Sequence, residues 1–150
     1  MDTKPQDALA ILKLYELRSE ALMRTARNWF FTEFNPQSGR EIVALLQSGE
    51  KASAYYRMVA SHWEVAAALV NNGGIDEKMF LAANTEHLVV FAKLQPFVAE
   101  IRETIGEPDY LANLEQLVMR APNVEHKLEN RRRLLGRWNA ATSQNVAAQG

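Results

Sequence analysis

The placement of glycine and proline is the feature of this sequence that most constrains its fold. These residues fall almost wholly where helices would begin or end, and between them apolar residues recur every three or four positions without strand-like alternation. Thr3–Gln6 and Ser38–Glu41 have the sequence pattern of capping boxes, in which a Thr or Ser precedes a Gln or Glu by three residues. Asn72-Gly73-Gly74 is a strong helix C-terminal signal. The pattern predicts an all-α protein.

The same punctuation divides the chain into six to seven helices. The predicted segments are Lys4–Glu33, Ser38–Ser48, Lys51–Asn71, a short helix after Asp76, Thr85–Ile105, Pro108–Arg120 and a last helix ending near Trp138. Pro96 either kinks the fifth helix or opens a new one. Because the segment 51–71 is apolar over more than half of its circumference, we expect it at the centre of a bundle. Residues 1–140 are predicted to form this single domain, and 141–150 a flexible tail.

Composition excludes several classes of protein. The 150 residues carry 17 Lys and Arg against 18 Asp and Glu, a balance that argues against a strongly basic nucleic-acid binder. The absence of cysteine excludes disulfides, thiolate zinc sites, iron–sulfur ligation and thiol catalysis. The N-terminus does not resemble a signal peptide, and the longest apolar runs are far shorter than the roughly 20 residues of a membrane span. We therefore expect a cytoplasmic protein with no membrane or nucleic-acid partner.

Three short segments resemble a known family. Lys93-Leu94-Gln95-Pro96-Phe97, Gly106-Glu107-Pro108-Asp109-Tyr110 and Glu115-Gln116-Leu117 are similar to the C-terminal half of a bacterial family of small all-helical proteins with no assigned function. Ile75-Asp76-Glu77, followed by Phe80, resembles the segment after that family's glycine turn. The resemblance covers about residues 55–120. It implies an all-α fold and supplies no catalytic residues.

No standard catalytic or metal-binding motif is present. Carboxylate-bridged metal bundles use Glu-x-x-His, whereas this chain has only the reverse spacing, at His126 and Glu129, on the predicted solvent side of the last helix. Metalloprotease, nucleophile-elbow, phosphate-loop and dinucleotide motifs are also missing. We therefore assign no catalytic residue, metal ligand or cofactor, and the sequence favours a non-catalytic protein.

Four polar side chains fall on apolar helix faces and are the candidate ligand-binding residues: His62, His87, Arg102 and Arg131. A buried charge is costly unless it is paired, so each arginine needs a partner or a route to water. Under one hypothesis the four converge on a pocket for a small anion, because a guanidinium matches carboxylate and phosphate geometry. The alternative is that they are hydrogen-bonded core histidines and structural ion pairs.

Apolar residues near the end of the first predicted helix are the candidate interface. Leu17 and Phe31 project away from its main stripe, and Phe34 adds to an apolar end before Asn35-Pro36. An exposed patch here would suit a partner helix or a second copy of the chain. The alternative is that the short second helix folds back over it.

The only basic cluster, Arg131–Arg133 with Lys127 and Arg137, is interrupted by acidic residues such as Glu129. It therefore favours a salt-bridged, solvated face. The sequence leads to two functional hypotheses. The first is a non-catalytic module that associates with itself or another protein. The alternative is a protein that binds a small anion, or an unrecognised enzyme, through His62, His87, Arg102 and Arg131.

Overall fold

The computed structural model describes the backbone of residues 3–149 and the side chains of residues 3–139. The described backbone contains helices and turns but no strand. Its eight helices are α1 (Lys4–Ser19), α2 (Ala21–Thr32), α3 (Gly39–Gln47), α4 (Lys51–Asn71), α5 (Glu77–Ala83), α6 (Glu86–Ile105), α7 (Ala112–Met119) and α8 (Val124–Gln149). The all-α prediction is confirmed, with more helices than the six to seven expected.

The extra helix arises because the first predicted helix is broken at Glu20. This residue has an extended backbone, with φ −63° and ψ 148°, and separates α1 from α2. The hydroxyl of Ser19 donates to the Tyr15 carbonyl at 2.8 Å, a local bond that competes with helix continuation. Neither glycine nor proline marks the break, so the sequence pattern runs through it.

The predicted caps at two later helices are present. Ser38 Oγ accepts from the Glu41 amide at 3.1 Å, and the Glu41 carboxylate accepts from the Gln37 amide at 3.0 Å. Asp76 accepts from the Met79 amide at 2.8 Å and so caps α5. These bonds give partners to amide groups at or just before the start of each helix, which no carbonyl of that helix can accept.

Helices α4 and α6 lie at the centre of the bundle. Helix α4 packs against α2, α3, α5, α6 and α7, while α6 also packs against α3, α7 and α8. Their largest buried side chains include Tyr56, Trp63, Phe91 and Leu94. The prediction of a central third segment is confirmed.

Pro96 lies inside α6 without ending it. Proline has no amide hydrogen, so the carbonyl of Ala92 loses its usual helical donor. Arg132 of α8 replaces that donor, because its Nε lies 3.0 Å from the Ala92 oxygen. A second nitrogen of the same guanidinium donates to Gln95. The proline is therefore accommodated by a side chain from the neighbouring helix.

Helix α8 continues to Gln149, beyond the end expected near Trp138. Leu128 and Leu135 are its buried anchors against the rest of the bundle. The predicted tail at 141–150 falls where side chains are not described, and its flexibility remains a prediction. Among the described residues, no helix is both long and apolar enough to cross a bilayer.

Candidate functional site

A cavity of about 390 Å³ lies where α5, α6, α7 and α8 meet. Its apolar walls are formed by Leu81, Leu88, Leu117, Val118, Ala121 and Pro122. Polar side chains from α5, α6 and α8, and from the link between α7 and α8, complete the lining. The cavity combines an apolar body with a charged rim, as small-molecule sites commonly do.

His87 lies at the buried side of this cavity. It is in the first turn of α6, is 1% exposed, and packs against the rings of Trp63 and Phe80 at centroid distances of 6.0 and 5.3 Å. Among the described residues, neither of its ring nitrogens has a hydrogen-bond partner. Burial, with a smaller contribution from the nearby Arg131, lowers its pKa to about 4. The imidazole is therefore neutral at pH 7, with one donor and one acceptor nitrogen.

Two cations on α8 face the same cavity. Lys127 and Arg131 are four residues apart, on one side of the helix, and both are partly buried. Among the described side chains, neither takes part in a hydrogen bond or an ion pair. A third cation, Arg120, is neutralised by Glu77 at 2.6 Å and also donates to Asn71. The cavity thus carries surplus positive charge.

His62 does not reach this cavity. It lies on another side of Trp63, against which its ring packs edge-to-face at 4.7 Å. Its charged neighbours there are Glu86, Arg18 and Arg27. Glu86 binds both arginines, Arg18 at 3.6 Å and Arg27 at 2.7 Å. Burial lowers the pKa of His62, and Glu86 partly opposes that shift.

Arg102 is also separate from the cavity. Its Nε donates to the Tyr110 carbonyl at 2.8 Å, and its Nη2 binds Glu115 at 3.3 Å. It therefore holds the connection between α6 and α7 in place. The hypothesis that all four candidates share one pocket is wrong, because they occupy three different sides of the bundle. Only His87 and Arg131 come together.

The three candidate interface residues do not form one exposed patch. Phe31 projects away from the main stripe and was a candidate for an exposed patch, but it is 9% exposed and packs against Trp138 of α8 at 5.9 Å. Phe34 is buried as well, stacked on Trp29 at 4.8 Å and edge-on to Tyr56. Of the two alternatives, an exposed patch formed by these phenylalanines is therefore wrong, because both are covered within the chain. Leu17 remains partly exposed on α1.

Lys127 was assigned to a solvated face, but it lines the cavity. Its spacing of four residues from Arg131 was the available signal, because that spacing places both side chains on one helical face. Asn84, also buried at the cavity wall, gave no comparable signal. In the described part of the chain, no group of three or more His, Cys, Asp or Glu side chains could hold a metal ion.

A family model matches most of this chain. No curated protein and no solved structure matches this chain. The model of a domain of unknown function, DUF4760, matches residues 4–121, which include His87 but end before Lys127 and Arg131. The resemblance to a family without an assigned function is thereby confirmed over a longer range than expected. The chain belongs to the DUF4760 family.

Proposed function

We propose that this protein binds a small organic anion in the cavity between α5, α6, α7 and α8. The observation that carries the proposal is the grouping of Lys127 and Arg131, both unpaired among the described side chains, on the wall of one cavity. An anion there would bind both cations.

The walls favour an anion with an apolar body. Leu88, Leu117 and Val118 line the same space as the cations, so a ligand that fills it buries carbon as well as charge. The volume of about 390 Å³ accommodates a molecule the size of a bicyclic aromatic acid. These features fit an organic acid better than inorganic phosphate.

Titration with 2-naphthoate, followed by its fluorescence, tests this proposal. We expect saturable binding of one molecule per chain. Arg131→Met and Lys127→Met should each weaken binding about tenfold, the effect of losing one hydrogen bond to a charged group. The neutral analogue 2-naphthamide should bind more weakly than 2-naphthoate.

Arg133→Met is the matched control. Arg133 lies on α8 like Arg131, but its side chain is 67% exposed and pairs with Glu129. The substitution removes the same charge outside the cavity, so affinity should stay near that of the wild type. Absence of saturation, or equal losses in Arg131→Met and Arg133→Met, would contradict the proposed site.

A second candidate function is self-association through α1. Leu9, Leu12, Tyr15 and Leu22 are exposed by 59–66% on α1 and at the start of α2. Leu9 and Tyr15 are each three residues from Leu12. An antiparallel pair of α1 helices, related by a two-fold axis at Leu12, would therefore place Leu9 of one copy opposite Tyr15 of the other. A net charge of −1 gives little repulsion between copies.

Light scattering across a concentration series tests self-association. We expect the wild type to dimerise and Leu12→Glu to remain monomeric, because a buried unpaired carboxylate is costly. Val65→Glu is the control, since Val65 is 54% exposed on α4. A wild-type monomer at every concentration would remove this candidate and leave the anion site unaffected.

A further inference from the structure

On the basis of the anion site between α5, α6, α7 and α8, we propose that its ligand also carries a hydroxyl group, which donates a hydrogen bond to the side chain of Asn84. Asn84 lies in the link between α5 and α6 and lines the same cavity as Lys127 and Arg131. It is a buried polar residue. The class of ligand is thereby narrowed from an organic acid to a hydroxylated aromatic acid.

The carboxamide of Asn84 has a defined orientation. Its Nδ2 donates to the Phe80 carbonyl of α5 at 3.2 Å. The reverse orientation would set the amide oxygen against the carbonyl oxygen, and two acceptors repel each other. The amide oxygen, Oδ1, is therefore the group left over. Among the described residues, no donor binds it.

This oxygen is open to the cavity. The ring nitrogens of His87, another lining residue, also lack partners among the described residues, but they are fully enclosed. Oδ1 of Asn84 is not enclosed in this way, although the residue as a whole is only 8% exposed. Since Asn84 forms part of the cavity wall, the exposed part of its amide borders the cavity, and a ligand can reach it there.

The chemistry of this oxygen and the charges around it select a neutral donor. An amide oxygen only accepts, so the ligand must supply the hydrogen. An ammonium group is disfavoured, because Lys127 and Arg131 are unpaired among the described side chains and would repel it. A hydroxyl brings no charge, and it gives a partner to an acceptor that is otherwise buried without one.

The acid group and the hydroxyl must lie at different positions of the ligand. The cations that bind the acid come from α8, whereas Asn84 comes from the link before α6. The apolar walls between them, formed by residues such as Leu88 and Val118, suit an aromatic body that joins the two groups.

Isothermal titration calorimetry with hydroxylated derivatives of 2-naphthoate tests this inference. The probes are the ring-position isomers of hydroxy-2-naphthoate, each with its methyl ether, which keeps the oxygen and lacks the hydrogen. We expect at least one isomer to bind the wild type about three- to tenfold more tightly than both its ether and 2-naphthoate, the effect of one hydrogen bond.

Asn84→Leu should abolish this preference, so that the isomer and its ether bind alike. Leucine has the same branching at Cγ as asparagine, and it readily adopts the extended backbone of residue 84, with φ −135° and ψ 137°. The Phe80 carbonyl also keeps a donor, because the backbone amide of residue 84 binds it at 3.0 Å. The variant should therefore fold.

Thr85→Val is the matched control. Thr85 belongs to the same cavity lining, and its hydroxyl caps no helix amide, so the substitution removes a polar group that the inference does not use. The preference for the hydroxyl should survive in this variant.

The inference is overturned if no isomer is preferred over its ether, if Asn84→Leu keeps the preference, or if Thr85→Val loses it. Saturable binding of 2-naphthoate in any of these cases would still support the anion site. Absence of binding by every probe would overturn both proposals.

Discussion

His87 shows at the scale of one residue how burial sets protonation. Its ring is enclosed by Trp63, Phe80 and the cavity, and burial beside Arg131 penalises the imidazolium. The folded protein therefore holds this histidine neutral with a pKa of about 4, against 6.5 for an exposed histidine. Below pH 6.5 the unfolded chain binds a proton that the folded chain does not.

The stability of the protein should fall as the pH falls from 7.5 to 5. The depressed pKa of His87 predicts a loss of about 2 kcal/mol in the free energy of unfolding over this range, and further loss down to pH 4. Urea denaturation at a series of pH values measures it. His87→Leu should flatten the slope, whereas His126→Leu, at an exposed position of α8, should preserve it. Equal slopes in all three proteins would contradict this assignment.

Lys93 shows what helical periodicity does not reveal about a single residue. It is 8% exposed, and its Nζ donates to the carbonyl of Phe30 at 2.6 Å, beside the rings of Phe30 and Phe34. The ammonium group thus gives a hydrogen bond and a favourable charge to the carbonyls at the C-terminal end of α2. A lysine is ordinarily taken as a surface residue, and its acceptor lies 63 positions away in the chain, so sequence reasoning had no local signal for it.

At the scale of the helix, Arg132 and Pro96 should be energetically coupled. Arg132→Met removes the donor to the Ala92 carbonyl, and an unsatisfied buried acceptor costs about 1–3 kcal/mol. In a Pro96→Ala background, residue 96 has an amide that can donate to the same carbonyl, so the cost of Arg132→Met should shrink by about 1 kcal/mol. Urea denaturation of the four proteins measures this coupling.

The second bond of Arg132, to Gln95, does not affect this comparison, because Arg132→Met removes it equally with proline and with alanine at position 96. A difference between the two costs therefore reports the carbonyl alone. If Arg132→Met costs the same with proline and with alanine at position 96, Arg132 does not substitute for the missing amide.

Helix ends were predictable where a local motif marks them, and not where no residue type does. Ser38 and Asp76 bind amides three residues away, so the sequence contains the whole motif. The break at Glu20 has no glycine or proline, and the Ser19 bond to the Tyr15 carbonyl is of a kind that Thr25 also makes inside the unbroken α2. Helical periodicity gives no signal for such a break. The first helix was therefore predicted as one.

At the scale of the molecule, the sequence indicated which faces point inward but not which of them meet. Projection around a helix axis places His87 and Arg131 on inward faces, and the cavity between α6 and α8 confirms this for both. Such a projection cannot show which helices pack against one another. For that reason His62 and Arg102, equally suitable by projection, were grouped wrongly with them.

Helix α8 packs as part of the same bundle, although the family match ends at residue 121. It packs against α6 and α2, buries Leu128 and Leu135, and brings Lys127 and Arg131 to the cavity. A chain that ends after Ala121 should therefore be destabilised by several kcal/mol, since even one buried leucine contributes about 2–5 kcal/mol. It should also lose 2-naphthoate binding. Thermal denaturation followed by circular dichroism measures the first effect.

A chain that ends after Ala140 is the matched truncation. It keeps every described anchor of α8 and removes only the predicted tail at 141–150. Its free energy of unfolding should stay within about 0.5 kcal/mol of the full chain, because a sequence stretch with few apolar anchors is expected to contribute little. A large loss in this variant would show that the last residues belong to the folded domain. Full stability in the chain that ends after Ala121 would instead show that residues 4–121 fold without α8. The cavity would then depend on a helix that the family fold does not need.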